Sequence, residues 1–304
     1  MSYFLGIDTS NYTTSCALYD SVTDTVIQKK KLLPVKSGEL GLRQSDAVFH
    51  HTVQIPELIK DLFSDFQGEI SAVGVSDAPV RAEGSYMPCF LTGVSVATAV
   101  AASNSVPLYK YSHQQGHIMA ALYSADRTDL FGRDFLAFHV SGGTTQLLKV
   151  CRNLETTLVA SSTDLKAGQA VDRVGVMLGY PFPAGRYVDE LAQKSDNEYK
   201  IRLKLIDGNC SLSGVENKCK AMFEKGDTPE NISRFCIDYI LTALRRMTVD
   251  ALEKYGEFPV VFSGGVMSNS IIRNKLTDEF DAYFAAPEFS CDNAAGIAIL
   301  TSKE

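Results

Sequence analysis

Short runs of β-branched and aromatic residues alternate along this chain with longer stretches of helical periodicity. Residues 3–7 predict a strand, 8–12 a turn of small polar residues, and 14–19 a second strand; after a turn at 20–24, residues 25–32 predict a third. The same grammar returns downstream. Residues 135–140 predict a strand, Ser141-Gly142-Gly143-Thr144 a tight turn, 146–150 a second strand and 157–161 a third. Each triplet leads into helix, strand and helix: 47–63, 72–76 and 91–102 first, then 231–254, 260–262 and 269–276. A repeat that is weak in residue identity but consistent in order predicts a duplicated α/β fold with a cleft between its halves. The expected lobes are 1–130 and 131–304. The polar stretch 196–229 breaks the strand–helix alternation and reads as an insertion in the second lobe.

Composition supports this outline. A chain of 304 residues exceeds what one core usually sustains, which favours two lobes, and 45% hydrophobic with 21% charged residues is the balance of an ordinary globular protein. No run of about 18 apolar residues could span a bilayer. The N-terminus enters a strand without a basic stretch or cleavage site, so a cytoplasmic protein with no secretory signal and no membrane partner is expected. The seven cysteines (Cys16, Cys89, Cys151, Cys210, Cys219, Cys236 and Cys291) are odd in number, scattered, and free of any CxxC pair. That pattern argues against a disulfide framework or a thiolate zinc site. With 29 basic and 36 acidic side chains the formal charge is −7. This excludes a free-standing basic nucleic-acid binder, because phosphate neutralisation supplies most of that affinity. It leaves room for a nucleic-acid enzyme that borrows positive surface from partners. The clusters at Lys29 to Lys31, at Lys200, Arg202 and Lys204, and at Lys218, Lys220 and Lys225 read as solvated faces.

Candidate chemistry gathers at three turns that follow strands: Gly6-Ile7-Asp8-Thr9-Ser10, Val140-Ser141-Gly142-Gly143-Thr144, and Phe262-Ser263-Gly264-Gly265-Val266. Residues without bulk let backbone N–H groups approach phosphate oxygens, and ligands of open α/β sheets bind beyond the carboxyl ends of strands. A nucleotide or acyl-phosphate ligand is the expectation, although neither a P-loop nor a dinucleotide fingerprint is present. His113 and His117 are four apart after a strand at 108–111, the spacing that puts two imidazoles on one helical face. The pair is either an ordinary helical HxxxH or two thirds of a metal clamp. Asp292, ahead of the last helix, is a candidate third ligand and equally a candidate N-cap. Asp164 and Asp172 bracket Lys166-Ala167-Gly168-Gln169-Ala170. If the helix there begins early they share roughly one helical face, as acceptors for ribose hydroxyls or a metal-bound water; otherwise they are a cap and a solvated acid. One ring of His50-His51 is expected to be buried, and His139 is expected to be a satisfied core histidine. No GxSxG elbow and no Ser/His/Asp order stands out, which disfavours a covalent-serine hydrolase.

These residues resemble the TsaD-type threonylcarbamoyl transferases of tRNA modification, formerly called O-sialoglycoprotein endopeptidases and grouped with peptidase M22. The resemblance runs nearly the whole chain, from Leu5-Gly-Ile-Asp-Thr-Ser10 to Asp292-Asn-Ala-Ala295. The family's HxEGH is matched by His113-Gln-Gln-Gly-His117, and its VSGGHTQL by Val140-Ser-Gly-Gly-Thr-Thr-Gln-Leu147. Its long AGEAFDKV…GLPYPGGP…DKLA motif is matched by Ala167-Gly-Gln-Ala-Val-Asp-Arg-Val174, Met177 to Arg186 and Asp189-Glu-Leu-Ala192, and its AGGVxxNxxLR by Ser263 to Arg273. The resemblance implies the actin/hexokinase/Hsp70-like (ASKHA) fold and a divalent metal, iron or zinc, on His113, His117 and Asp292. It implies a threonylcarbamoyl-adenylate, or ATP or ADP with magnesium, held by Ser141, Gly142, Gly143, Thr144, Asp172, Gly185, Asp189, Gly264, Gly265 and Asn269. Asp8 and Ser10 of the first turn are the catalytic candidates. The implied reaction carries the threonylcarbamoyl group to the exocyclic amine of the adenosine beside the tRNA anticodon. The implied partners are tRNA, an adenylate-making enzyme, a small ATPase and a paralogous dimer partner of the bacterial kind, or a second copy of the chain.

The sequence departs from the family at particular positions. The usual G-I-E-T-S-C-D-E-T is here Gly6-Ile-Asp-Thr-Ser-Asn-Tyr-Thr-Thr14, so Tyr12 and Thr13 stand where the family has two acids. Thr144 replaces a histidine, Gln115 a glutamate and Arg186 a proline. The family's S-F-S-G-x-K-T is reduced to Ser211-Leu-Ser-Gly-Val-Glu-Asn217. Two further readings therefore stand beside the first: a carbamoyl- or acyl-adenylate transferase with an acceptor other than tRNA, and a non-catalytic partner of the modification complex. A peptidase is disfavoured, because HQQGH lacks the glutamate base of HExxH.

Overall fold

The computed structural model describes residues 2–10, 12–34, 42–64, 66–290 and 294–304. The chain forms two compact units, Met1–Thr128 with Glu288–Glu304, and Asp129–Pro287. In the first, the element order is β1 (Tyr3–Asp8), β2 (Thr13–Asp20), β3 (Thr25–Leu32), α1 (Gln44–Phe63), β4 (Ile70–Ala78), α2 (Phe90–Asn104), β5 (Leu108–Ser112) and α3 (His113–Ser124). The sheet order is β3-β2-β1-β4-β5. The pairs β1–β2 and β2–β3 are antiparallel hairpins, while β4 and β5 join in parallel after helical crossovers. Interior strands read as buried runs: Leu5, Ile7, Val73 and Val75 are fully buried among Ile55, Leu58 and Leu62 of α1. β3 is an edge, and its outward lysines Lys29, Lys30 and Lys31 discourage pairing with another strand.

The second unit repeats the plan. Its strands are β6 (Phe135–Val140), β7 (Thr145–Val150), β8 (Thr156–Ser161), β9 (Val260–Ser263) and β10 (Ala282–Phe284), in the order β10-β9-β6-β7-β8. Again two antiparallel hairpin pairs are followed by two parallel ones. Its helices are α4 (Ala167–Met177), α5 (Gly185–Ala192), α6 (Ser213–Glu224), α7 (Pro229–Tyr255) and α8 (Ser270–Glu279). Phe138, Phe262 and Phe284 occupy one register row across β6, β9 and β10 and stack with centroids 4.9 Å apart at each step. α7 starts on the Thr228 hydroxyl, which accepts from Asn231 N, and on Pro229, whose missing N–H costs nothing there. Ile232, Cys236, Ile240, Ala243, Met247 and Ala251 form its buried stripe. Residues 194–212 carry only isolated bridges, at Ser162↔Cys210 and Ile206↔Asn209, before α6 begins.

The chain then returns to the first unit. α9 (Ala295–Thr301) lies with residues 1–128, whereas the sequence reading groups residues 288–304 with the second lobe. The physical reason is packing. α9 is too apolar to face water, and Ile297, Ala298, Ile299 and Leu300 are nearly or fully buried. It meets β1 and β4 at two residues without side chains: a Cβ on Gly6 would lie 2.5 Å from Ala294 O, and one on Gly74 would lie 1.9 Å from Thr301 Oγ1. Against α3 the fit is tighter still, for a Cβ on Gly296 would lie 1.8 Å from Gly116 O. Among the described residues no helix is long and apolar enough to cross a membrane, and the six described cysteines are free thiols.

Gly296→Ala should therefore destabilise the protein by at least about 2 kcal/mol, because a backbone oxygen cannot move aside as a side-chain tip can. The measurement is the midpoint of thermal or urea unfolding. An unchanged midpoint would contradict the close packing of α3 on α9.

Candidate functional site

In the second unit, the ends of β6 and β9 and the starts of α4, α5 and α8 enclose a cavity of about 480 Å³. It is lined by Ser141, Gly142, Gly168, Val171, Asp172, Pro183, Gly185, Arg186, Asp189, Ile237, Gly265, Val266, Ser268 and Asn269. That size suits a nucleotide-sized ligand, and the lining combines apolar walls with a few polar groups. Two close approaches build the floor. A Cβ on Gly168 would lie 2.5 Å from Gly142 N, so α4 begins directly against the 141–144 turn. Gly264 has φ +99°, and a Cβ there would lie 2.3 Å from Val140 O. Ser141 ties its own turn: its N donates to Thr144 O at 2.7 Å, and its Oγ accepts from Gly143 N and Thr144 N. The acids are held by one oxygen each. Asp172 Oδ1 accepts from Ala184 N at 2.8 Å, and Asp189 Oδ1 accepts from Asn269 Nδ2 at 2.6 Å. Asn269 also caps α8 by accepting from Ile272 N.

Of the residues expected to hold an adenylate, the cavity gathers Ser141, Gly142, Asp172, Gly185, Asp189, Gly265 and Asn269. Gly143, Thr144 and Gly264 shape the turns without lining it. Arg186 lines it too, with its Nε donating to Glu190 Oε1 at 2.7 Å. The apolar wall of Val171, Ile237 and Val266 is legible in the sequence only as core stripe.

One expectation is corrected. Asp164 does not share a helical face with Asp172, because α4 starts at Ala167 and Asp164 precedes it. Its carboxylate instead organises the approach to α6, accepting from Leu165 N, Ser211 Oγ, Leu212 N and Ser213 N. Partial burial works against its charge. The hydrogen bonds from Ser211, Ser213, Leu212 and Leu165 outweigh that and hold its carboxyl well below the usual carboxylate range.

The first unit places a different constellation around α3. Ser112 ends β5 and opens the helix with a capping box: Gln115 N donates to Ser112 Oγ at 3.2 Å, and Ser112 N donates to Gln115 Oε1 at 2.9 Å. Glutamine closes this box as glutamate would. His113 and His117 then lie one turn apart with ring centroids at 4.3 Å. The first turn meets them. His113 Nδ1 is 2.6 Å from Asp8 Oδ2, His113 Nε2 is 3.5 Å from Ser10 Oγ, and Ser10 N donates to Asp8 Oδ1 at 2.7 Å. So Ser10, His113 and Asp8 do come together, which their separation in sequence hides. Ser10 is only 1% exposed. Two imidazoles on one helical turn, one held through Nδ1 by a carboxylate, are a donor set suited to a divalent metal. Asp292 lies outside the described residues, and no group of three metal-ligating side chains occurs among those described. His51 is fully buried, with Nδ1 2.8 Å from Thr14 Oγ1, and His139 Nδ1 is 3.3 Å from Ser263 Oγ.

Solved structures share this doubled architecture. Component A of (R)-2-hydroxyglutaryl-CoA dehydratase from Acidaminococcus fermentans superposes with a TM-score of 0.57 at 15% identity, covering 100% of this chain and 98% of that one. A ROK family glucokinase from Streptomyces griseus superposes at 0.54 and 11% identity, covering 99% and 100%. The fold is thus the duplicated actin/hexokinase/Hsp70-like one. A family model described as TsaD, tRNA N6-adenosine threonylcarbamoyltransferase, matches residues 22–299. The proteins of that name from Bacillus licheniformis and Nitrosomonas europaea are each 29% identical to this chain, over 97% of it and 90% of each of them. That from Streptococcus suis is 30% identical over 84% of this chain and 78% of its own. The chain belongs to the tRNA N6-adenosine threonylcarbamoyltransferase family, a family of transferases.

The hydrogen bonds to Asp164 carry a pH dependence. A folded-state pKa below the unfolded value contributes stability above the unfolded pKa, about 3.9, and that stability is lost as pH falls through the folded value. Asp164→Asn should lower the unfolding midpoint at pH 7, and its difference from the native protein should shrink once the pH drops below about 4. A difference that is constant from pH 7 to pH 3 would contradict this role.

Proposed function

We propose that this protein transfers the threonylcarbamoyl group from threonylcarbamoyl-AMP to the exocyclic amine of the adenosine beside the tRNA anticodon. Membership of the family supports the reading, and the observation that carries it is the cavity in which the family's separate motifs meet. In this reading Val171, Ile237 and Val266 take the purine. Asp172 and Asp189, each with one oxygen already fixed, accept from the ribose hydroxyls with the other. Gly142 and Gly265 bring bare backbone up to the phosphate. The amine nitrogen attacks the carbamoyl carbon, the bond from that carbon to the phosphate oxygen breaks, AMP leaves with the electron pair, and the amine releases a proton. Fixed donors and dipoles lower the barrier by meeting charge as it develops on the leaving group. His113 and His117, with Asp292, would hold iron or zinc. When bound, such an ion would polarise or orient ureido and phosphate oxygens. Magnesium with ATP or ADP is a further candidate ligand pair. The acidic balance of −7 fits an enzyme that meets tRNA alongside an adenylate-making enzyme, a small ATPase and a paralogous dimer partner.

A second reading, transfer to an acceptor other than tRNA, is favoured by one specific feature. Tyr12 and Thr13 stand where family members carry acids.

The deciding assay incubates the protein with threonylcarbamoyl-AMP and unmodified tRNA, with and without the bacterial partner proteins, beside a competent family enzyme. Mass spectrometry of the digested tRNA should find the modified nucleoside. AMP release without it would move the conclusion to another acceptor. Gly142→Leu should weaken AMP binding at least about tenfold while leaving the thermal midpoint nearly unchanged, since a Cβ there meets open space inside the cavity. Asp292→Ala should abolish stoichiometric metal. Full metal content in that variant would break the three-ligand reading.

A further inference from the structure

Asp8 is 1% exposed, and both its carboxylate oxygens are engaged. Oδ1 accepts the Ser10 N–H at 2.7 Å, which fixes the carboxylate's rotation, and Oδ2 lies 2.6 Å from His113 Nδ1. A carboxylate only accepts, so this contact places a proton on Nδ1, and in a neutral ring the lone pair then sits on Nε2. That nitrogen lies on the side of Ser10 Oγ, at 3.5 Å, and the ring packs edge-on to His117. The ring's backbone is fixed independently, because His113 is the first residue of α3 and follows the capping-box serine. A second observation points to a ligand at the same end of the sheet. Gly6 and Gly74 both turn toward α9, and Asp8 and Ser76 follow them by two residues on the same face. Ser76 is completely buried, and its hydroxyl has no hydrogen-bond partner among the described residues. A buried hydroxyl without a partner is costly unless a bound group or water satisfies it.

We propose that Asp8 is the positioning residue of the metal centre: it locks His113 in the Nδ1–H tautomer so that Nε2 is the ligating atom. The inference rests on the metal reading of His113 and His117. It assigns Asp8 to the ring's far side, where outer carboxylates raise ligand basicity and fix orientation, and not to the substrate.

The test has two readouts. The first is the tautomer of His113 in the metal-free protein, read from the ring nitrogen chemical shifts by long-range nitrogen–proton NMR. The native protein should show Nδ1–H, and Asp8→Ala should lose that preference. A native ring protonated on Nε2 overturns the proposal whether or not any variant folds. The second is zinc affinity by competition with a chelator, for the native protein, His113→Ala, Asp8→Asn and Asp8→Ala. Native zinc binding that His113→Ala removes, together with binding about 10–100-fold weaker in both Asp8 variants, is the expected result. Native affinity retained in folded Asp8 variants overturns the positioning role alone. Absence of any zinc binding that depends on His113 overturns the metal reading, and this proposal with it.

Discussion

Main chain against main chain, where α9 crosses α3 at Gly296 and Gly116, is the contact on which the first unit depends. Glycine on both helices lets two backbones approach until no methyl group fits between them, and at that distance neither helix can slide without collision. α9 is simultaneously pinned on β1 and β4 through Gly6 and Gly74. A helix of seven residues is too short to be stable by itself, so its register comes entirely from these neighbours. The consequence reaches the imidazoles. His113 and His117 flank Gly116 on the same helix, and the packing that immobilises Gly116 also fixes where the two rings stand.

The doubled sheets use one local device in two ways. After β1 and after β6 the chain makes a turn of small residues at the carboxyl end of a central strand. In the second unit the Ser141 hydroxyl takes its own turn's N–H groups, which keeps the turn narrow and opens the cavity beside it. In the first unit the turn's acid, Asp8, takes one N–H and then spends its other oxygen on a histidine from a distant element. Equal backbone topology thus leaves the chemistry to one or two side chains in each copy.

Much of the architecture is legible in the chain because its interior strands are nearly uninterrupted apolar runs bounded by turn residues. β3 and β6 match their expected limits, the other expected strands differ by one or two residues at either end, and β10, only three residues long, is not among the expected strands. Chemistry is less legible wherever it depends on partners far apart in sequence. Asp8 and His113 are separated by 105 residues, and nothing in either local pattern announces the other. Ile237 reads as one more apolar position in the stripe of α7, and only the structure turns it toward the cavity. Asp164 misleads for the opposite reason. Its nearness to Asp172 in sequence suggests a shared face, whereas the true start of α4 leaves it in the loop, where the serines of Ser211-Leu-Ser213 claim it. Gln115 departs from the family in identity but preserves the capping box, a substitution whose meaning is local and mechanical.

The return of residues 288–304 to the first unit has a consequence for how the molecule is made. During synthesis the strands β1, β2, β4 and β5 leave the ribosome long before the helix that covers their Gly6 and Gly74 face, whereas residues 129–287 emerge as one uninterrupted block. Chains are made from the N-terminus at about 5–20 residues per second, so that apolar face waits for on the order of ten seconds or more. The half that is begun first is completed last, and over that interval its uncovered sheet is a natural client for a chaperone.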